Sequence, residues 1–396
     1  MQFVFNKKLK NLCFAFMAIG IIAILMGMFT DTSEHHNRFW SNILINSFFY
    51  LAIGLGALFF YTLQYATETG WTVVVKRVFE GIFSSIPVFG GILALVLLVG
   101  TFGGHHIYHW MDSAVHDLDS DKYDAIIAGK SAYLNKPFFW IRTLVYLGVF
   151  TFFARYFRRE SLREDTMGGT EIHFKLYKKA AIFLIFFAVF SSTASWDWIM
   201  SIDVHWFSTL FGWYVFSGMW VGAMITAVLF VRFLKGQGYL EFVNESHLHD
   251  LSKWMFALSF LWSYLWFSQF ILIWYSNIPE EVTYFIERIE HFKIPFFGMF
   301  IVNFVFPMIL LMSRKAKRIK FLPIFVGLII FLGHWMDTYM LITPGATHHF
   351  HIGFMEVGIF LGFLGLFIFL TLRAYTKAPF LPVNHPYRDE SEHFEI

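Results

Sequence analysis

Residues 191–212 read S-S-T-A-S-W-D-W-I-M-S-I-D-V-H-W-F-S-T-L-F-G, and they mark where one long apolar run ends and the next begins. The segment carries Asp197, Asp203 and His205, flanked by Trp196, Trp198 and Trp206. A carboxylate at membrane depth is costly, so an acid inside such hydrophobic sequence reads as a functional residue. The tryptophans read as an aromatic belt at the membrane–water boundary, together with Trp335 further along.

Working outward, the apolar runs on either side cover 181 to 200 and 208 to 234. Each is long enough to cross about 30 Å of hydrocarbon as a helix. Eight more runs of that kind lie near 9 to 29, 43 to 66, 82 to 103, 138 to 157, 254 to 275, 294 to 312, 321 to 343 and 353 to 375. The composition agrees: 57% of the 396 residues are hydrophobic and only 15% charged, more apolar surface than a soluble domain buries. The expected fold class is an all-α polytopic membrane protein with ten transmembrane helices.

Lys and Arg placement gives the orientation, because short loops rich in them stay in the cytoplasm. With the N-terminus inside, the inner segments collect Lys7, Lys8 and Lys10, the run Arg155, Arg158, Arg159 and Arg163, and the cluster Arg314, Lys315, Lys317, Arg318 and Lys320. Both termini are then cytoplasmic, with anionic phospholipid beside the basic loops. The first run lacks a small-x-small cleavage site and reads as a retained helix. Cys13 is the only cysteine, which excludes a disulfide, a C-x-x-C-H haem attachment and a cysteine-ligated iron–sulfur cluster.

The longest outer segment, 103 to 136, holds His105, His109, Asp112 and His116 at spacings of four, three and four. On a helix these would share one face and could bind Zn or Cu; otherwise the segment is a solvated acidic cap that docks a partner. Arg142 lies about one turn below the outer surface, either snorkelling outward or partnering an acid such as Asp197. Gln269 sits in the outer half of the seventh run, and Pro307 follows Asn303 by four residues, which predicts a kink. His334 and Asp337 are one turn apart in the ninth run, and Glu356 opens the tenth. Gly218 and Gly222, and Gly358 and Gly362, form small-xxx-small patterns that allow close backbone approach. The tail, 376 to 396, has Pro379, Pro382 and Pro386 followed by acidic residues, and reads as a disordered cytoplasmic end.

Taken by depth, Arg142, Asp197, Gln269, His334, Asp337 and Glu356 all fall in the outer half, and the inner half has far fewer titratable groups. Such an asymmetry suits a site open to the outside. His and Asp can act there as proton acceptors for quinol oxidation, or form a proton relay without a quinol. A haem b reading fails, because no second histidine matches His334 in depth. No redox cofactor of the chain's own is expected.

Residues 195–212, with W-D-W-I-M-S and H-W-F-S-T as the specific part, resemble the shorter membrane subunit (ActF) of bacterial alternative complex III. That complex is a quinol:cytochrome c oxidoreductase, and the subunit belongs to the NrfD/polysulfide-reductase membrane-subunit superfamily. The resemblance implies one transmembrane domain over 1–375. It would comprise two four-helix bundles, about 43–200 and 208–343, and two peripheral helices, 9–29 and 353–375. It also implies a sister quinone-binding membrane subunit, an outer iron–sulfur and molybdopterin-type protein, c-type cytochromes and a neighbouring terminal oxidase as partners, and no nucleic acid. A quinone and bound lipids are the non-covalent ligands it suggests. In that picture Asp197 closes the first bundle, and His334 and Asp337 close the second; by their residue types and depth, Asp197, His334, Asp337, Arg142, Glu356, Asp203 and His205 are the candidates for proton transfer or quinol contact. A secondary transporter and a purely structural membrane subunit are the alternatives.

Overall fold

The computed structural model describes residues 2–395. Among these, ten helices are long and apolar enough to cross a membrane: α1 Lys7–Thr30, α2 Glu34–Ala66, α3 Val73–Thr101, α4 Lys136–Met167, α5 Glu171–Ile202, α6 Leu210–Gly236, α7 Glu245–Ser276, α8 Lys293–Leu311, α9 Leu322–Thr347 and α10 Phe354–Tyr375. In hydrocarbon every backbone N–H and C=O must be satisfied within its own segment, which makes each apolar run a helix. The chain is a multi-pass helical membrane protein. Several helices outrun their hydropathic cores, α4 and α5 most of all. Their extra turns carry charged residues that form ion pairs at one end of the bundle.

The centre of the molecule is α2, whose apolar window is 94% buried. It packs against α3, α5, α6, α9 and α10, while α6 also meets α5, α7 and α9. A polar tie crosses this core: Trp335 Nε1 of α9 donates to Asn46 Oδ1 of α2 at 3.0 Å. The aromatic-belt reading is corrected for Trp198, Trp206 and Trp335, which are all buried. Trp198 Nε1 donates to Thr143 Oγ1 at 3.2 Å, so the ring works inside the bundle.

Helix α1 lies on α10 almost alone. A Cβ built on Gly20 would stand 2.4 Å from the α-carbon of Gly362, and one built on Gly358 would stand 2.4 Å from the Cβ of Ala23. The two backbones touch, which only glycine permits.

Both termini lie at the same end, where Gln2 and Pro379 form an isolated β-bridge. The tail is not disordered. Phe380, His385 and Ser391 are buried among the helix ends. Ser391 Oγ donates to Trp71 O at 2.9 Å, and Ser391 O meets His247 Nε2 at 2.9 Å. Apolar and hydrogen-bonding residues placed between the prolines and acids dock the segment, a pattern that average composition hides.

The segment between α3 and α4 also departs from expectation. Gly103 turns the chain with φ +80°, and two separate 3-10 turns, His109–Met111 and Ser113–His116, replace the single helix. His105, His109, Asp112 and His116 therefore share no helix face.

Candidate functional site at the end remote from the termini

Asp337 lies ten residues before the end of α9, roughly 15 Å below it at 1.5 Å per residue. It is 5% exposed and fully engaged. Tyr214 of α6 donates its hydroxyl to Oδ1, and Trp262 Nε1 of α7 donates to Oδ2 at 2.9 Å. One turn away on the same face, His334 places Nδ1 3.7 Å from Oδ2. Among the described residues neither ring nitrogen of His334 has a hydrogen-bond partner, although the ring is 3% exposed. Gly218 of α6 leaves room for both side chains: a Cβ there would stand 3.7 Å from Asp337 Oδ2 and 4.0 Å from His334 Nδ1.

Beside Gly333, the neighbour of His334, α8 forms a π-helical turn over Ile301–Val305, directly before Pro307. The proline takes no part in a normal i to i−4 bond, and the extra residue in the turn accommodates it. The turn pushes Asn303 against α9, so that a Cβ on Gly333 would come within 2.0 Å of its Oδ1. Asn303 is fully buried, and its amide has no partner on either atom among the described residues. Two neighbouring side chains with unused hydrogen-bonding capacity thus lie deep in the α6–α9 half.

From Asp337 a cavity of about 20 Å³ leads outward, lined by Tyr214, Gln269, Tyr284 and Arg288. That is room for about one water. Its outer wall is a stack contributed by the helix Pro279–His291, which joins α7 to α8. Trp206 lies parallel to Tyr284 at 3.8 Å, and the Arg288 guanidinium lies over the Tyr284 ring at 3.3 Å. Arg288 Nη2 donates to Asp203 Oδ2 at 3.1 Å. Beyond the stack is a polar basin of about 500 Å³ whose lining includes His109, Asp124, Asp203, His205, Glu287 and His348. Titratable groups thus run from Asp337 to the surface with Tyr284 and Arg288 shared by both spaces.

The basin has its own electrostatic order. His205 Nε2 pairs with Asp124 Oδ2 at 2.6 Å, and His348 Nδ1 meets Glu287 Oε1 at 3.3 Å. Although partial burial opposes it, the Asp124 carboxyl is held below the usual range by the backbone N–H of Ile127 and by His205. Burial, with His348, His106 and His205 nearby, pulls the His109 ring down and keeps it neutral. Burial pushes the Tyr284 phenol up, so it stays protonated and can donate.

The other acids singled out in the sequence are elsewhere. Arg142 donates from Nε and Nη2 to both oxygens of Asp197, each at 2.8 Å, and from Nη1 to Tyr133 O at 3.1 Å. The guanidinium also lies over the Tyr133 ring at 3.8 Å. Glu356 is saturated by Arg38 Nε at 2.8 Å, Arg38 Nη2 at 2.9 Å and the Gly353 N–H at 2.8 Å. His105 Nε2 meets Val96 O and His116 Nε2 meets Trp110 O, each at 3.0 Å, while Asp112 caps the N–H of Ala114. The structure therefore joins His334, Asp337, Asp203 and His205 in one region and leaves Asp197, Arg142 and Glu356 in self-contained pairs. Tyr214, Trp262, Tyr284 and Asn303 complete the region. Trp262, Trp266 and Gln269 recur at i, i+4 and i+7 on α7, the one stripe in the sequence that pointed to it.

Buried titratable groups also gather at helix ends outside the hydropathic runs. At the termini end, Lys76 Nζ donates to Glu164 Oε2 and Arg77 Nη1 to Glu80 Oε2, both at 2.7 Å, with Arg77 also paired to Asp165 and Arg158 to Glu80. They fall outside the hydropathic runs, which begin after the start of α3 and stop before the end of α4. A separate cavity of about 500 Å³ between α1, α6, α9 and α10 is walled by groups such as Phe230, Phe331, Phe360 and Phe367, and its described lining offers no carboxylate or imidazole.

No protein-family model matches this chain, and no curated protein matches its sequence.

Proposed function

We propose that this chain is an integral subunit of a respiratory quinol-oxidising complex of the alternative-complex-III type, and that its own task is to carry protons between Asp337 and the outer surface. The observation that supports the reading is the continuous set of polar groups from buried His334 and Asp337, past Tyr284 and Arg288, to the histidine-lined basin. An acid flanked by hydroxyl and indole donors and opening on a water-sized space suits proton uptake and release. The same dimensions argue against quinol contact at Asp337, because a ring needs a pocket several times larger than about 20 Å³.

In this reading the basic residues at the termini end face the cytoplasm and the basin faces outward, in a bacterial inner membrane. Quinol is oxidised on a sister membrane subunit, and electrons pass through iron–sulfur, molybdopterin-type and c-type cytochrome partners. Phospholipid covers the outer helices. The saturated Arg142–Asp197 and Arg38–Glu356 pairs suit a structural role for those acids. The test is Asp337→Asn in the assembled complex. Proton release coupled to quinol oxidation should fall roughly 10²-fold. Unchanged release, with the subunit still incorporated, would sink the reading and leave a scaffold.

A further inference from the structure

At the opposite end of the molecule a second buried cluster takes no part in the proton path. Glu164 closes α4, His173 opens α5, and His385 comes from the tail. One ligand-type atom from each lies within 4.8 Å of the other two. Their exposures are 0%, 3% and 6%. We propose that Glu164, His173 and His385 bind a divalent transition-metal ion of the zinc class, which pins the C-terminal segment across the ends of α4 and α5.

The donor set carries the weight. Among the described residues neither ring nitrogen of His173 has a hydrogen-bond partner, and Glu164 Oε1 has none either. Leaving such atoms buried and unused costs about 1–3 kcal/mol each, so a lone pair directed at a cation is the chemical use that fits them. Glu164 Oε2 is already taken by Lys76 Nζ at 2.7 Å, which fixes the carboxylate plane and leaves Oε1 to the ion. His385 makes only a long contact, 3.2 Å from the Tyr387 N–H to Nδ1. Two imidazoles and one carboxylate, with one position left over, are a ligand set zinc accepts. A cavity of about 20 Å³ beside the cluster, lined also by Gln64, Tyr61 and Glu68, has room for a water in that position. Glu68 Oε1, 3.8 Å from His173 Nε2, stands next to it and adds a second carboxylate against the charges of Lys76 and Arg77. Ligand atoms around tetrahedral zinc lie roughly 3.3 Å apart, so the three side chains need to close by no more than about 1.5 Å. Burial, then Lys76, His173 and Arg77, hold the His385 ring well below the usual range, so it keeps the neutral form that binds metal.

The experiment uses the full chain in detergent, stripped with chelator, reloaded with zinc and separated from free ion by gel filtration. Bound metal is measured by mass spectrometry. The wild type, and a variant with His348, His349 and His351 all changed to Gln, should retain about one zinc per chain. His173→Gln and His385→Gln should each retain about tenfold less, and zinc should slow proteolytic removal of the tail only where it is retained. A wild type that holds no zinc, or retention undiminished in both variants, would overturn the proposal. Cobalt loading of the unaltered protein tests the site without relying on the variants to fold. Visible ligand-field bands are expected, and their absence refutes the site.

Discussion

Arg142 on α4 and Asp197 on α5 meet in two parallel hydrogen bonds of 2.8 Å, with the carboxylate wholly buried. The fork leaves neither oxygen free, and Tyr133 takes a third guanidinium N–H through its carbonyl. A pair so complete joins two helices, and neither residue lines the spaces that lead from Asp337 to the surface.

It follows that Asp197→Ala costs stability rather than chemistry. Removing one partner strands the other charge, so the loss should be about 3–5 kcal/mol. Arg142→Leu combined with Asp197→Leu should cost much less than the sum of the two single changes. Thermal melting of the four proteins in detergent gives the coupling directly, and additive losses would contradict the pairing.

Gly333→Ala sets a methyl group against Asn303 Oδ1, where the built Cβ comes to 2.0 Å. The π-turn of α8 must then shift, at a cost of about 1–3 kcal/mol. Asn303→Ala in the same protein should recover part of that loss. A melting temperature unmoved by Gly333→Ala would mean that α8 and α9 are not held in this register.

Gly362→Val forces α1 away from α10, because the Gly20 backbone occupies the space the new side chain needs. Proteolysis of the first connecting loop, or cross-linking between cysteines placed on the two helices, should report loosening of α1 alone. The remaining helices pack around α2 and α6 or on the direct neighbours of those two.

With no metal ion bound, His385 makes docking of the tail depend on pH. Its ring titrates near 6.5 when free and well below that when buried against Lys76, His173 and Arg77. Glu164, Glu68, Tyr65 and Tyr387 complete its surroundings. The released tail therefore binds a proton that the docked tail refuses. Docking is at full strength above pH 6.5 and weakens below it by about 1.4 kcal/mol, or tenfold in population, per pH unit. Protease accessibility of the tail measured from pH 7.5 downward should show this slope, and His385→Gln should lower it by one proton.

Hydropathy made the ten helices legible because it reports which residues sit in hydrocarbon. It does not report where a helix continues beyond its apolar core, so Lys76, Glu80, Glu164 and His173 fall outside the hydropathic runs although they are buried at helix ends. The pairing of His334 with Asp337 could be read from their spacing, and Pro307 announced the distortion of α8. Tyr214, Tyr284 and Arg288 could not be assigned to the same region, since they come from a different helix and a connecting segment. Arg38 and Glu356, 318 positions apart, form an ion pair for which a single sequence carries no sign. The docked tail was missed for a related reason: Phe380 and His385 matter through where they land, and composition averages that away.

The glycine seam between α1 and α10 also has a consequence for how the protein is made. The first spanning segment leaves the ribosome long before the helix it rests on exists, and little else in the molecule offers it a flat surface. It must wait in the lipid, exposed on nearly all sides, through the synthesis of some three hundred residues. At the rates of translation that is tens of seconds. The last helix therefore completes the bundle and also recovers the first, so a chain cut short before α10 would be released with α1 unclaimed and open to quality-control proteases.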